Sequence, residues 1–442
     1  MTATADFLDR YRNVFEHQHK QDTAEAPWLR HAREHAFNEL LNQGLPTRQW
    51  ENWRYTPVVQ WLDDVPLTPA VNDPPDDPIA TLGVDIEPKA AVLVFVDGLF
   101  RPHCSRLTPL TDQVTLHALS HLQQPPDTDL TAPTPQPFAL LNTSLFRDGV
   151  LIDIHPGAVI DAPIYCLHTA AADTAAAAFP RVFVHSRPNS HATVIDCFID
   201  PAGTSGRFTN ACTQLHLDRD SRLDYLRLVR ASEDHLHIGG IYVQQEAGSQ
   251  LDAFTFVNGG RLVRSDWYTR LGAPGTRTGI NGVTLATGRQ HVDTQIDIDH
   301  QVENCLSDCL FKSITTDKAH TVFNGKARIE PRAQRSETRI YHRNLLLTAG
   351  AEVDTKPELE IYADDVKAAH GATVSRLDER QIFYLRARGL DRPAAIRLLN
   401  HAFINEMILN LANPVMRRVL QQWADDFFGL SAETDIWNKQ PS

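Results

Sequence analysis

From about residue 150 to residue 362 the chain is written in short strand-like runs separated by small-residue turns, and a loose motif recurs through them. The motif is a small residue, a spacer, a branched apolar residue and then aspartate. It reads Ala158-Val159-Ile160-Asp161, Thr193-Val194-Ile195-Asp196, Ser221-Arg222-Leu223-Asp224, Ser249-Gln250-Leu251-Asp252 and Ala351-Glu352-Val353-Asp354. The steps joining Asp196, Asp224 and Asp252 are 28 residues each, while 161 to 196 is 35. Recurrence at tens of residues with strand chemistry marks a β-solenoid, in which each coil stacks on its neighbours. A β-sandwich is the competing architecture. A stretch of about 200 residues without an intervening helical pattern favours the solenoid.

Both flanks are helical in pattern. Trp28, Leu29, Ala32, Ala36, Phe37, Leu40 and Leu41 recur at helical spacing, Pro27 suits a first turn, and Gly44 and Pro46 stop the run. At the other end, Ala394–Leu411 carries Ile396, Leu399, Phe403 and Met407 on one face, and Asn413-Pro414 separates it from a second amphipathic run, Val415–Leu430. Proline-rich connectors are expected at Val65–Pro88 and Gln123–Pro137, with a buried strand and an Asp97-Gly98 turn in Ala91–Phe100 between them. The expected domains are thus 1–145, helical with connectors and a strand; 146–375, the solenoid; and 376–442, helical.

Composition narrows the function. The formal net charge of −13 repels phosphate backbones and argues against nucleic-acid binding. No apolar run is long enough to cross a bilayer, and the mixed-charge N-terminus lacks the core of a signal peptide, so a cytoplasmic location is expected. The six cysteines form no CxxC pair. Cys305 and Cys309 read as small buried hydrophobes rather than ligands. A cluster held wholly by this chain needs about four placed thiolates, and the spacing offers no such set. In HVDTQIDIDH, His291, Asp293, Asp297 and Asp299 share one face of a strand. That face is expected to be a solvated side of the solenoid rather than a metal cluster. There is no Walker A sequence, no nucleophile elbow and no HExxH motif.

Several spaced motifs carry a family resemblance. They are LPTRQWENWRYTPV (Leu45–Val58), GGRLVRSDW (Gly259–Trp267), HVDTQIDIDH (His291–His300), VFNGKARIEPRAQ (Val322–Gln334), NLLLTAGAEVDTKPELEIYADDVKAAHGATV (Asn344–Val374) and FYLRARGL (Phe383–Leu390). In this order they resemble the SufB/SufD family of iron–sulfur cluster assembly scaffolds. The resemblance implies a mainly β fold, a right-handed parallel β-helix flanked by N- and C-terminal helical domains. It also implies a non-catalytic role, pairing with a SufB-like subunit through the β-helix and binding a SufC-like ABC ATPase through the C-terminal helices. Phe403 and Met407 are the candidate contacts for that ATPase.

By the same resemblance, nascent clusters form at the subunit interface, no cofactor is held stably by this chain alone, and His370 is the candidate metal ligand. The family often has Cys two residues before this His; here KAAHG places Ala368 there. No thiolate comes from that position, whereas a neutral imidazole still binds iron. Local chemistry alone reads His370-Gly371 as a turn. Rival functions are a β-helix enzyme acting on acidic polysaccharide, against which stand the negative charge and the absent leader, and a SufB-like homodimeric cluster carrier.

Overall fold

The computed structural model describes residues 3–21, 25–63, 65–68, 77–83, 86–108, 110, 112–125, 136–171, 175–201 and 204–430. Two sheets face each other across one interior. The first runs in space from Leu99–Phe100 and Ala91–Val96 through Ile164–Thr169, His191–Ile199, Arg222–Ala231, Gln250–Gly259, Arg277–Ala286, Leu306–Thr315 and Glu337–Leu346 to Lys367–Ser375. The second runs from Val114–Ala118 and Val150–Ile154 through Arg181–Ser186, Phe208–Leu217, Leu236–Gln245, Leu262–Leu271, His291–His300 and His320–Ile329 to Glu352–Ile361. The chain alternates between them and winds a parallel β-solenoid of about eight turns. From Ile164 onward in the first sheet and Val150 onward in the second, strands paired in one sheet lie 26 to 32 residues apart, as Leu236 and Leu262 or His320 and Glu352 do.

The recurring aspartates mark coils less regularly than their spacing suggests. Asp224 pairs directly with Asp252. Asp196 instead pairs with Arg227, Thr193 takes the place beside Asp224, and Asp354 lies in the second sheet. Turn lengths differ between coils, so equal spacing in sequence is not equal position in a coil. The first sheet also starts before residue 146: Ala91–Val96 pairs residue by residue with Ile164–Thr169.

Inward side chains form the main core, among them Val194, Leu223, Tyr225, Leu251, Ile280, Cys309, Phe323 and Ile340. Both outer faces are covered as well. Helices α1 (Ala3–Gln21), α2 (Pro27–Gln43) and α3 (Pro137–Leu145) cover Phe183, Phe208, Leu236, Ile238 and Leu262 of the second sheet, together with Trp53, Val58 and Leu62. After the short helix α4 (Glu379–Arg386), α5 (Arg392–Leu409) and α6 (Pro414–Phe428) cover Ile195, Leu226, Phe254, Phe256 and Val283 of the first. Strands buried on both faces read as near-continuous apolar runs, which explains why simple alternation is weak in this sequence.

Local signals set the helix ends. Asp391 caps α5 by accepting from the Ala394 N–H, and Asn413 caps α6 by accepting from Val415 and Met416, each followed closely by proline. Gly429 takes a left-handed conformation that ends α6. Polar ties fix the pair to the sheet: Lys312 Nζ lies 2.5 Å from Glu406 Oε2, and Asn413 Nδ2 donates to Thr193 and Asp224. Parts of both proline-rich connectors lie outside the described residues, as do residues 431–442. No described helix is long and apolar enough to cross a membrane.

Candidate functional site

The last coil is built like the others, but no described strand covers its outer edges. Its strand Lys367–Ser375 pairs on one side with Glu337–Leu346, and Glu352–Ile361 pairs on one side with His320–Ile329. Each therefore presents a free edge of backbone N–H and C=O groups. Register shows which side chains point inward. Buried Thr338, Ile340, His342 and Asn344 are in line with Ala368, His370, Ala372 and Val374. Across the interior, Thr321, Phe323, Ala327 and Ile329 are in line with Val353, Thr355, Leu359 and Ile361. In-register neighbours share a face of a sheet, so these residues form the exposed mouth of the core. Val374 and Ile361 are 51% and 41% exposed there.

His370 sits in this mouth. The inward column Ile280, Cys309, Ile340 continues to it, one coil at a time. It is exposed, with no further described coil stacked on it, and its imidazole makes no hydrogen bond to a described residue. Ala368 is on the same face, two places along. His370-Gly371 is not a turn: both lie inside the strand, and Gly371 faces the other way, where a side chain would press on the Tyr341 ring. Charge flanks the apolar mouth on the side of the second sheet, with Lys356 2.8 Å from Glu358 and Lys326 3.4 Å from Glu360. An apolar centre carrying one exposed imidazole with charge along one side resembles the make-up of a protein–protein contact.

The other expected residues fall elsewhere. His291 and Asp293 are not on a solvated face. The Leu45–Val58 segment lies over them, with Thr56 Oγ1 2.5 Å from Asp293 Oδ2 and 2.9 Å from His291 Nε2. Arg264 is wholly buried between Asp266, Asp293 and the Trp53 ring, whose centroid is 3.5 Å from the guanidinium carbon. Burial pushes His291 down to about 4, so it stays neutral. Three of the spaced sequence motifs thus meet in a structural joint, where the aromatics of the segment pack. Asp297 and Asp299, on the same strand face, are half-buried.

All six cysteines are free, and Cys166, Cys197, Cys212, Cys305 and Cys309 are buried. Burial raises each of these five thiols above its ordinary value, which disfavours the thiolate that metal ligation needs. Met407 is buried against the first sheet and Phe403 is half-buried, its ring 4.6 Å beneath Lys312 Nζ. These two side chains serve intramolecular packing. The large apolar side chains that the C-terminal helices expose are Phe383, Tyr384, Leu398 and Leu409, with Phe383 72% exposed. Sequence pattern missed them because the wide apolar face of α5 gave no means of telling its covered stripe from its bare one.

Comparison with known proteins agrees with this architecture. Residues 168–403 match the family described as SUF system FeS cluster assembly, SufBD core domain, and residues 1–166 match the SufBD protein N-terminal region. The iron-sulfur cluster assembly protein SufD of Escherichia coli is 30% identical over 410 residues, covering 91% of this chain and 92% of that protein. A SufBD family protein of Synechocystis is 27% identical over 415 residues, 91% of each chain. The chloroplastic protein ABCI7 of Arabidopsis thaliana is 30% identical over 246 residues, 54% of this chain and 50% of its own length. With the matched core spanning the coils that end at His370, this chain belongs to the SufB/SufD family of SUF-system iron–sulfur cluster assembly proteins.

Proposed function

We propose that this chain is a non-catalytic scaffold subunit that pairs through its open coil with a SufB-like subunit and carries a SufC-like ABC ATPase on its C-terminal helices. Clusters are then cargo built at the subunit interface, and none is held stably by this chain alone. The observation that carries this reading is the uncovered last coil, with the inward column ending in His370. A second chain laid against those edges completes the hydrogen-bond ladder, covers the apolar mouth and brings its own side chains to the imidazole. His370 supplies one nitrogen ligand or a proton-transfer group, and the sulfur ligands come from the partner, since Ala368 offers none and the five buried thiols are held protonated. The ATPase contact falls to exposed Phe383, Tyr384 and Leu398, with buried Met407 holding the helix in place. The complex works in the cytoplasm.

The test is coexpression with a SufB-like subunit and the ATPase. His370→Ala should leave the complex and its ATPase activity intact while lowering the yield of reconstituted cluster severalfold. Full cluster yield in that variant reduces His370 to a plain interface residue.

A further inference from the structure

The outer face of the second sheet holds a cavity of about 320 Å³ that scaffold pairing does not use. Tyr242 and Tyr268 stack in it with ring centroids 5.3 Å apart. At one end it is lined by His185 and His216, which are direct register partners on neighbouring parallel strands. Their rings are 4.7 Å apart and inclined by 27°. Asp218, just past the strand Phe208–Leu217, faces both: its Oδ2 is 3.1 Å from His185 Nε2 and its Oδ1 3.4 Å from His216 Nε2. Two imidazole nitrogens and a carboxylate oxygen thus lie within 4.8 Å of one another.

We propose that His185, His216 and Asp218 bind one divalent first-row transition cation of the zinc and ferrous class, with the cavity supplying the open coordination position. Two nitrogens and one carboxylate are the donor set such ions take. Ligand atoms around a tetrahedral ion sit roughly 3.3 Å apart, given metal–nitrogen distances of about 2.0 Å, so small side-chain rotations close the triad. The strand pairing makes this possible, because in-register parallel neighbours hold two rings side by side. The plainer reading is a carboxylate accepting two hydrogen bonds from neutral rings. Near the triad Glu246 adds negative charge and Asp153 offsets the opposing Arg187, which it holds at 2.8 and 3.2 Å, while the cations of the cavity, Arg270, Lys326 and Arg328, line it together with Asp297 and Asp299. A second triad, His320, Glu352 and Asp354, includes an exposed Glu352 and does not line this cavity, and it serves as the internal control.

The experiment uses the untagged full chain, stripped with chelator and titrated with Co²⁺ as a spectroscopic probe. One equivalent should bind with visible d–d absorption, be displaced by Zn²⁺, and raise the melting temperature. His216→Gln and Asp218→Asn, both at half-exposed positions, should each weaken binding at least tenfold, while His320→Gln leaves it unchanged. Circular dichroism checks each fold, and if one variant fails to fold the other decides. No saturable binding by the unaltered chain overturns the proposal, as does undiminished binding in the folded variant.

Discussion

The two ends of the solenoid are made from the same repeat and finished differently. At the first coil Ala91–Val96 is buried along its whole length, and antiparallel Leu99–Phe100 covers its free edge. Val114–Ala118 does the same for the second sheet, while Phe100, Leu107, Leu110 and Leu116 pack over the core. At the last coil the turn is packed by Ile329, Ala333, Ala363 and Val366, and no described strand pairs with the outer edges of the two strands it joins. Solenoids require terminal caps, because each coil buries its core only against neighbours. Among the described residues this chain caps one end of the stack and leaves the other open. Of the described residues, Pro357, which has no N–H to offer, and the charged pairs beside it defend that edge against promiscuous pairing.

That contrast can be broken most forcefully at the covered end. Leu93 is wholly buried in the main core, so Leu93→Asp strands a charge there and should cost more than about 4 kcal/mol, seen as insoluble or unfolded protein. Folded Leu93→Asp protein would show that the first coil is no better sealed than the last.

A smaller effect probes the coil beneath the open end. Burial pushes His342 down to about 3, and His300 and His291 to about 4. An unfolded chain has these rings near 6.5, so below that pH it binds protons that the fold refuses. Their stabilising contribution is complete above about pH 6.5 and is lost progressively down to about pH 4 for His300 and His291 and about pH 3 for His342. At pH 5 each ring should cost roughly 2 kcal/mol relative to pH 7.5. Thermal melts of His342→Gln should show a shallower pH dependence than the unaltered chain. An unchanged slope would mean that water already reaches the ring through the mouth.

The smallest effect on stability belongs at the mouth itself. Val374→Asp, at a position 51% exposed, should shift stability by less than about 0.5 kcal/mol yet abolish coelution with the SufB-like subunit. Retained pairing would move the partner contact to another surface.

Much of this layout is legible in the chain, and the losses have physical causes. Turn chemistry and recurrence at tens of residues gave the solenoid, and proline, asparagine and glycine placed the helix ends. The stacking of particular aspartates stayed hidden, since Asp196 meets Arg227 only because one turn is longer than another. Solvation of His291 and Asp293 was misread because the segment that covers them is more than 200 residues away, with Thr56 supplying the contact. His370 was visible as part of a motif, whereas its inward direction needed the pairing with Ile340. The His185–His216 pair left no local signal at all, as neither its register nor the approach of Asp218 is written in spacing.

Helices α5 and α6 have a mechanical consequence. They run across rows rather than along one: Asn413 reaches Thr193 and Asp224, Trp423 meets Phe256 edge-on at 6.0 Å, Lys312 holds Glu406, and Arg418 pairs with Glu87. A stack joined only between neighbours frays rung by rung, each with its own modest free energy. Here no rung between those anchors leaves without tearing the strap as well, so melting should be a single sharp event across the stack. A pull applied through the helices is likewise spread over several rungs at once and resisted in shear.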